Sequence, residues 1–171
     1  MKKLILAVIT ILFVSLATSA QRYAIIDSKY ILEKLPDYKD AQKKLDDISD
    51  LWQKEIDQKS AELEKMYKNF EAEQVMLSDE LKKKREDEIF NKEKDLRDLQ
   101  KKRFGFEGDL FRKRQELIRP IQDKVYNAVQ KMATERSFDF VLDKSEGITV
   151  IFADPKLDKS DDILKSLGVN K

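Results

Sequence analysis

The side chains most often used in catalysis are missing from this sequence or occur in an uninformative setting. Its 171 residues include no cysteine and no histidine, so it lacks a thiolate nucleophile, an imidazole base and the ligands of a zinc finger. Adjacent carboxylates could act as acid and base at Glu86, Asp87 and Glu88, but lysines and arginines flank them, as on a solvated helix face. Phosphate-binding glycine loops and nucleophile motifs are also absent. The sequence therefore predicts a protein that is not an enzyme and has no cofactor or metal.

The strongest local concentration of charge is the basic cluster formed by Lys82, Lys83, Lys84 and Arg85. Such a cluster can contact anionic headgroups or an acidic partner. Three acidic residues follow at once, however, so a solvated helix surface is the alternative. The whole chain has 34 basic and 33 acidic residues, and this balance argues against general binding of nucleic acid.

The first twenty residues have the features of a secretory signal peptide. Lys2 and Lys3 precede an almost wholly apolar run from Leu4 to Leu16, and small residues lie just before Gln21. The apolar run is shorter than the roughly 20 residues that cross a bilayer, which makes an uncleaved anchor the weaker alternative. Cleavage would leave 32 basic and 33 acidic residues in the mature chain, residues 21–171.

Residues 37–136 have the composition of long helices. They are dominated by Lys, Glu, Asp, Leu and Gln and contain one proline and two glycines. We expect two antiparallel helices joined by a turn near residue 78, where Ser78 or Asp79 can cap the second helix. Apolar residues at steps of mostly three and four form one stripe along the first helix: Ala41, Leu45, Ile48, Trp52, Ile56, Leu63, Met66 and Phe70.

A turn near residue 78 places Trp52 opposite Phe104 and Gly105, with Gly108 one helical turn further on. One interpretation is that a backbone without a Cβ makes room for the indole. The other is that the two glycines bend the helix, and a glycine inside a helix costs about 1 kcal/mol in either case. Both interpretations stay open, and Gly105 and Gly108 are the predicted hinge.

The apolar stripe thins between Phe70 and Leu96, so the outer part of the helical pair is predicted to be flexible. Large or adaptable apolar side chains there could make weak contacts with many sequences. They could instead complete the seam between the two helices. The candidate contact residues are Met66, Tyr67, Phe70, Met76, Leu77 and Phe90.

The last part of the chain is rich in β-forming residues. Residues 138–143 and 148–152 are joined by residues 144–147, which predicts a β-hairpin, and residues 23–26 add a short strand. A short capped helix begins near Ser160. Three short strands cannot cover both faces of a sheet in a monomer, so we expect self-association.

Four patterns follow one another in a characteristic order. They are Leu35-Pro36, the FGxxG from Phe104 to Gly108, the Leu-Ile-x-Pro-Ile from Leu117 to Ile121, and the Asp-Pro at residues 154–155 with an Asp-rich helix cap after it. In this order they resemble the Skp/OmpH family of periplasmic chaperones. The likeness covers essentially the whole mature chain, through residues 23–45, 103–133 and 138–168.

The resemblance implies a mainly α fold of the α+β type, in one domain. A long antiparallel helical hairpin, residues 37–119, would form an arm on a small β body made of residues 21–36 and 120–171. Strands from three subunits would join into a barrel, which makes the protein a homotrimer. The resemblance places these residues in the body, buried between subunits: Ile25, Ile26, Phe138, Phe140, Leu142, Ile148, Val150 and Phe152.

The resemblance also implies a function, that of an ATP-independent holdase that encloses unfolded outer-membrane proteins in the periplasm. Weak contact with the membrane surface or with lipopolysaccharide is a further expectation, although no lipopolysaccharide-binding residue of the family can be matched here. The near-neutral charge departs from the strongly basic members of the family. The alternative function is a structural coiled-coil adaptor of the cell envelope with one fixed partner.

Overall fold

The computed structural model describes residues 21–145, 147 and 150–169, so the predicted signal peptide and Ile148 lie outside it. The described chain forms two compact units, which we call the arm unit (residues 32–124) and the sheet unit (residues 21–31 and 125–169). The elements in chain order are β1 (Tyr23–Ile26), α1 (Ser28–Lys34), α2 (Pro36–Glu73), α3 (Asp79–Phe104), α4 (Asp109–Glu135), β2 (Phe140–Asp143), a 3-10 turn (Pro155–Leu157) and α5 (Ser160–Ser166).

Strand β1 is the centre of the sheet unit. It pairs in parallel with β2, with Tyr23 opposite Phe140, and its other edge forms an isolated parallel bridge from Ile25 to Asp158. Residues 24–26 are buried in succession instead of alternating, which is the pattern of a strand covered on both faces. The predicted strand at residues 23–26 is confirmed.

The core of the sheet unit consists of helix side chains around this strand. Ile31 of α1 and Ile163 of α5 are fully buried, and each such side chain contributes about 1.5–3 kcal/mol. The start of α5 is tied to the end of β1, because the backbone N–H of Asp27 donates to the Ser160 hydroxyl at 2.8 Å. The predicted short helix from Ser160 is also confirmed, but the predicted side-chain cap is wrong, because the N-cap residue is Lys159, which makes no side-chain cap hydrogen bond.

The predicted β-hairpin of residues 138–143 and 148–152 is wrong for the part of its second strand that the structure describes, residues 150–152. Residues 150–152 form no strand, and Ile151 and Phe152 are exposed. Strand β2 pairs with β1 instead, and parallel pairing is open to it because the helices between them supply the long crossover that such pairs need. Within the described residues, Ile151 and Phe152 have no strand beside them and no surface that buries them.

The arm unit contains the predicted antiparallel helical pair. Trp52 of α2 contacts Phe104 of α3, with ring centroids 6.4 Å apart in an edge-to-face arrangement, and this is the contact that the turn position predicts. The helices are separated by residues 74–78. Ser78 caps α3 by accepting a hydrogen bond from the Leu81 N–H at 3.4 Å, so the predicted cap is confirmed.

The inner end of the arm unit is held by packing of α2 against α4. Ala41 and Leu45 are buried against Ile118, with Tyr38, Leu110, Leu117 and Ile121 packed around them. Further out, Ile56 of α2 and Ile89 and Leu96 of α3 are buried. The stripe positions of the sequence are therefore the seam of the arm, as their spacing predicts. No helix in the described ranges is both long and apolar enough to cross a membrane.

Candidate functional site

The outer end of the arm presents apolar side chains to solvent. Val75 and Met76 are exposed in the turn, Met76 by 79%, and Tyr67 and Phe90 are exposed on α2 and α3. Met66, Phe70 and Leu77 are half-buried. The six candidate contact residues thus divide: Tyr67, Met76 and Phe90 are free to contact a partner, and the other three are partly covered. Val75 was not among the candidates.

The seam beneath these side chains is narrow. Leu63 and Met66 of α2 line a small cleft with Leu96 of α3, and the rim of this cleft consists of charged residues. One buried residue, Ile89, separates the cleft from the turn. Because the apolar seam here is one residue wide, the residues next to it on each helix are exposed. This explains why Phe90 faces solvent although the adjacent Ile89 is buried.

The basic cluster begins in the first turn of α3. Lys82 lies 4.0 Å from Asp79, and Arg85 lies 3.7 Å from Glu88, both at the limit of an ion pair. Lys83 and Lys84 are exposed and make no ion pair with any residue that the structure describes. Lys83 and Lys84 are therefore free to attract an anionic surface. Screening by salt limits this attraction to about 10 Å, the Debye length.

The second arm helix is interrupted between Phe104 and Asp109, which is a break at the position where the sequence suggested a bend at the two glycines. Phe106 is 97% exposed, and Glu107 has φ = 53°, an unusual value for a residue other than glycine. A Cβ placed on Gly105 would lie 2.3 Å from the Lys101 carbonyl oxygen, and its three nearest atoms all belong to Lys101. The closest obstacle to a side chain at Gly105 is therefore Lys101 and not the Trp52 indole.

A charged network that the sequence reasoning missed surrounds the break. Arg103 lies over the Trp52 ring, 4.6 Å from its centroid, and forms ion pairs with Glu55 at 3.3 Å and Asp109 at 2.9 Å. Arg112 also binds Asp109, at 2.6 Å. The Arg112 hydrogen bond is the main reason why the pKa of Asp109 is lowered, and the Arg103 bond adds to it against the opposing effect of burial. The sequence feature that could have indicated this network is a basic residue, Arg103, at the end of one helix and an acidic residue, Asp109, at the start of the next.

The predicted body residues occupy different environments in the sheet unit. Ile25 and Ile26 are buried inside the single chain and need no second subunit to cover them. Phe140 is exposed and stacks on Tyr23, with ring centroids 5.7 Å apart. The remaining described members are Phe138, Leu142 and Val150, which are half-buried, and Phe152, which is exposed. In the single chain, Phe140 and Phe152 are therefore left uncovered.

Two carboxylates join the connecting segments of the sheet unit. Asp143 accepts hydrogen bonds from the backbone N–H groups of Ser28 and Ser145, at 3.1 and 3.0 Å. Asp158 accepts from Lys144 Nζ at 2.7 Å and from the Ser160 N–H at 2.9 Å. Burial alone would raise the pKa of each carboxyl, but these hydrogen bonds outweigh it and lower both pKa values. Both groups are structural, and no cluster in the described residues could hold a metal ion.

A helical hairpin with a narrow apolar seam, together with a small parallel sheet unit that leaves apolar side chains exposed, defines a protein of the α+β class. The chain belongs to the OmpH-like family. The sequence model of that family, described as outer membrane protein (OmpH-like), matches residues 22–167.

A solved structure has the same fold. It is the crystal structure of a candidate outer membrane chaperone (OmpH-like) from Caulobacter crescentus CB15, with a TM-score of 0.71. The match covers 88% of this chain and 86% of the other at 14% sequence identity, so it supports the fold. No curated protein matches the sequence significantly.

Proposed function

We propose that this protein is a periplasmic chaperone that holds unfolded outer-membrane proteins without ATP. The observation that carries the proposal is the surface of the arm, where Tyr67, Met76 and Phe90 are exposed among charged residues. Charged groups keep the arm in solution, and scattered apolar groups offer weak contacts to an unfolded chain. Membership of the OmpH-like family supports the same function.

Holding by many weak contacts needs no reactive side chain. Each contact is short-lived, and the client is retained because several contacts act together at high effective concentration. We propose that three copies supply these contacts by associating through the sheet unit, with their arms around one client. Because no contact is strong, release requires no nucleotide and follows once the client begins to fold elsewhere.

The proposed location is the periplasm. The basic start, the apolar run and the small residues of positions 1–20 support export by a cleaved signal. The unpaired Lys83 and Lys84 support a weak contact of the arm with an anionic membrane surface or lipopolysaccharide. Sedimentation with anionic vesicles tests that contact, and Lys83→Gln with Lys84→Gln should abolish it without affecting helicity.

The central experiment is a client assay with a β-barrel membrane protein unfolded in urea. On dilution of the urea, light scattering should stay low when the mature chain is present and rise when it is absent. Chromatography with mass measurement should show one unfolded client per assembly and no binding of the same barrel after folding. Binding of a folded partner alone, at fixed stoichiometry, would contradict the proposal and favour the coiled-coil adaptor.

A further inference from the structure

One side chain connects all three helices of the arm unit at the point where the second arm helix is broken. Arg103, in the last turn of α3, donates from Nη2 to Glu55 on α2 and from Nη1 to Asp109 on α4. Its guanidinium also lies over the ring of Trp52, in a cation–π arrangement. Residues 105–108 themselves provide one turn hydrogen bond, from the Gly108 N–H to the Gly105 oxygen. The side-chain contacts of Arg103 therefore connect α3 directly to α4 across the break, in addition to the apolar packing of α2 against α4.

The setting of the network makes its charges effective. The side chains of Arg103 and Asp109 are 23% and 17% exposed, so solvent screens their attraction less than that of a surface pair. Arg103 lies at the negative end of the α3 dipole and Asp109 at the positive end of the α4 dipole. Each charge thus stabilises its own helix end as well as the bridge between them.

Opposing terms keep this connection from being permanent. The Nε atom of Arg103 is buried and makes no hydrogen bond, and an unpaired buried donor would gain a partner if water reached it. Glu107 has a left-handed backbone conformation, which a side chain disfavours. Opening the network would expose Arg103 Nε to water and so relieve the first of these penalties.

We infer that Arg103 is a latch that sets the geometry of the arm. With the latch closed, Arg103 fixes α4 against α2 and α3. With the latch open, residues 105–108 act as a hinge, and α2, which is continuous from Pro36 to Glu73, is the element that bends. The use of this motion to fit clients of different size rests on the proposed function, whereas the latch itself does not.

The absence of cysteine allows a direct test. Spin labels are attached at Lys94→Cys in α3 and Gln115→Cys in α4, which are both exposed positions. The distance between the two labels reports the geometry across the break. The labelled full chain is diluted with unlabelled protein. The unmodified latch should give one narrow distance peak. Asp109→Asn and Arg103→Lys should each lose that peak, since the first removes the bridging charge and the second removes the planar group that reaches two carboxylates.

Glu64→Gln is the matched control, because it removes an ion pair with Lys68 on the surface of α2, away from the break, and it should keep the narrow peak. Added salt should broaden the peak of the unmodified latch and have less effect on Asp109→Asn. A narrow peak that survives in Asp109→Asn and Arg103→Lys, with helicity retained by circular dichroism, overturns the latch. If Arg103→Lys fails to fold, Asp109→Asn and the salt series decide alone. None of these readouts uses a client, so the latch can fail while the chaperone assay succeeds, and the reverse.

Discussion

At the scale of single residues, sequence spacing predicted the buried side chains better than the exposed ones. Ala41, Leu45 and Ile56 lie on the predicted stripe and are buried, because an amphipathic helix turns one face to its neighbour whatever the partner. The network of Arg103 could not be predicted in the same way. The network depends on which residues of α2 lie beside the end of α3. Predicting that two helices pair fixes their alignment only to within about one helical turn.

The exposed apolar residues at the outer end of the arm lead to the first prediction. Replacing Val75, Met76 and Phe90 together by serine should change the free energy of unfolding by no more than about 0.5 kcal/mol per residue, since all three are exposed. Client binding should weaken by roughly tenfold, or about 1.4 kcal/mol. Fluorescence titration with an unfolded barrel protein measures this change.

Tyr126→Ser is the control for that variant, because Tyr126 is an exposed aromatic residue in the sheet unit. It should bind clients as tightly as the unchanged chain. Equal loss of binding in the control, or no loss in the triple variant, would show that the outer arm is not the contact surface.

The carboxylates of the sheet unit lead to a prediction of pH dependence. Hydrogen bonds lower the pKa values of Asp143 and Asp158 in the folded chain, so their contribution to stability is present above the unfolded-state pKa and is lost as the pH falls below about 4. Lys144 has a raised pKa, mainly through its hydrogen bond to Asp158. Its contribution is lost only as the pH rises above about 10.4.

Asp158→Asn checks this prediction by thermal unfolding between pH 3 and pH 8. The variant should melt at a lower temperature than the unchanged chain at pH 7 and should lose less stability on acidification. Asp57→Asn is the control, because Asp57 is exposed on α2 and makes one side-chain hydrogen bond, at 2.8 Å from Gln53. Parallel curves for Asp158→Asn and the unchanged chain would refute the assigned role of Asp158.

At the scale of elements, local signals predicted the helices and failed for the sheet. The Ser78 cap and the change in composition marked the turn of the arm because capping is a local interaction. Strand pairing is not local: β2 lies more than a hundred residues after β1, and alternation alone did not reveal their parallel register. The run at residues 150–152 has β propensity without a partner strand in this chain, which is why its prediction was wrong.

The break between α3 and α4 gives a prediction at this scale. A Cβ on Gly108 would lie 2.8 Å from the Lys102 oxygen and 2.9 Å from the Gly105 oxygen, so Gly108→Ala must displace backbone. We expect a cost of about 1–3 kcal/mol, measured by chemical denaturation. Gly105→Leu combined with Gly108→Leu should also lower protection of an unfolded client, because the larger side chains alter bending of the arm.

Ser60→Ala serves as the control, since Ser60 is exposed within α2 and the change should stay within about 0.5 kcal/mol. Unfolding of Gly108→Ala at the same denaturant concentration as the unchanged chain would mean that the backbone at the break is not tightly packed. If the double leucine variant still assembles and fully protects the client, the break between α3 and α4 is not needed for the chaperone function.

At the scale of the whole molecule, the sheet unit has features that a single chain does not complete. Within the described residues β2 has β1 as its one neighbour, and an unpaired strand edge attracts another strand. Phe140 of β2 is exposed, as are Ile151 and Phe152 later in the sheet unit, Phe152 by 84%. Large apolar side chains that remain exposed indicate an interface. The homotrimer expected from the family resemblance would cover them.

The corresponding prediction is that Phe140→Asp combined with Phe152→Asp converts a trimer into monomers. A charge placed in an apolar interface loses hydration without gaining a partner, which costs several kcal/mol per ion, and the open edge alone cannot offset that cost. Light scattering coupled to chromatography should give the mass of three chains for the unchanged protein and of one chain for the variant. The melting temperature of the unchanged protein should rise with concentration, and that of the variant should not.

Phe106→Asp is the matched control, because Phe106 is an even more exposed aromatic residue but belongs to the arm unit. It should retain the mass of three chains and the concentration dependence. A monomeric mass for the unchanged protein at micromolar concentration would refute assembly through the sheet unit. The double variant leaves the apolar groups of each single arm unchanged. If it is monomeric and helical but no longer protects an unfolded client, contacts along one arm are not enough. Holding is then better explained by enclosure between several arms.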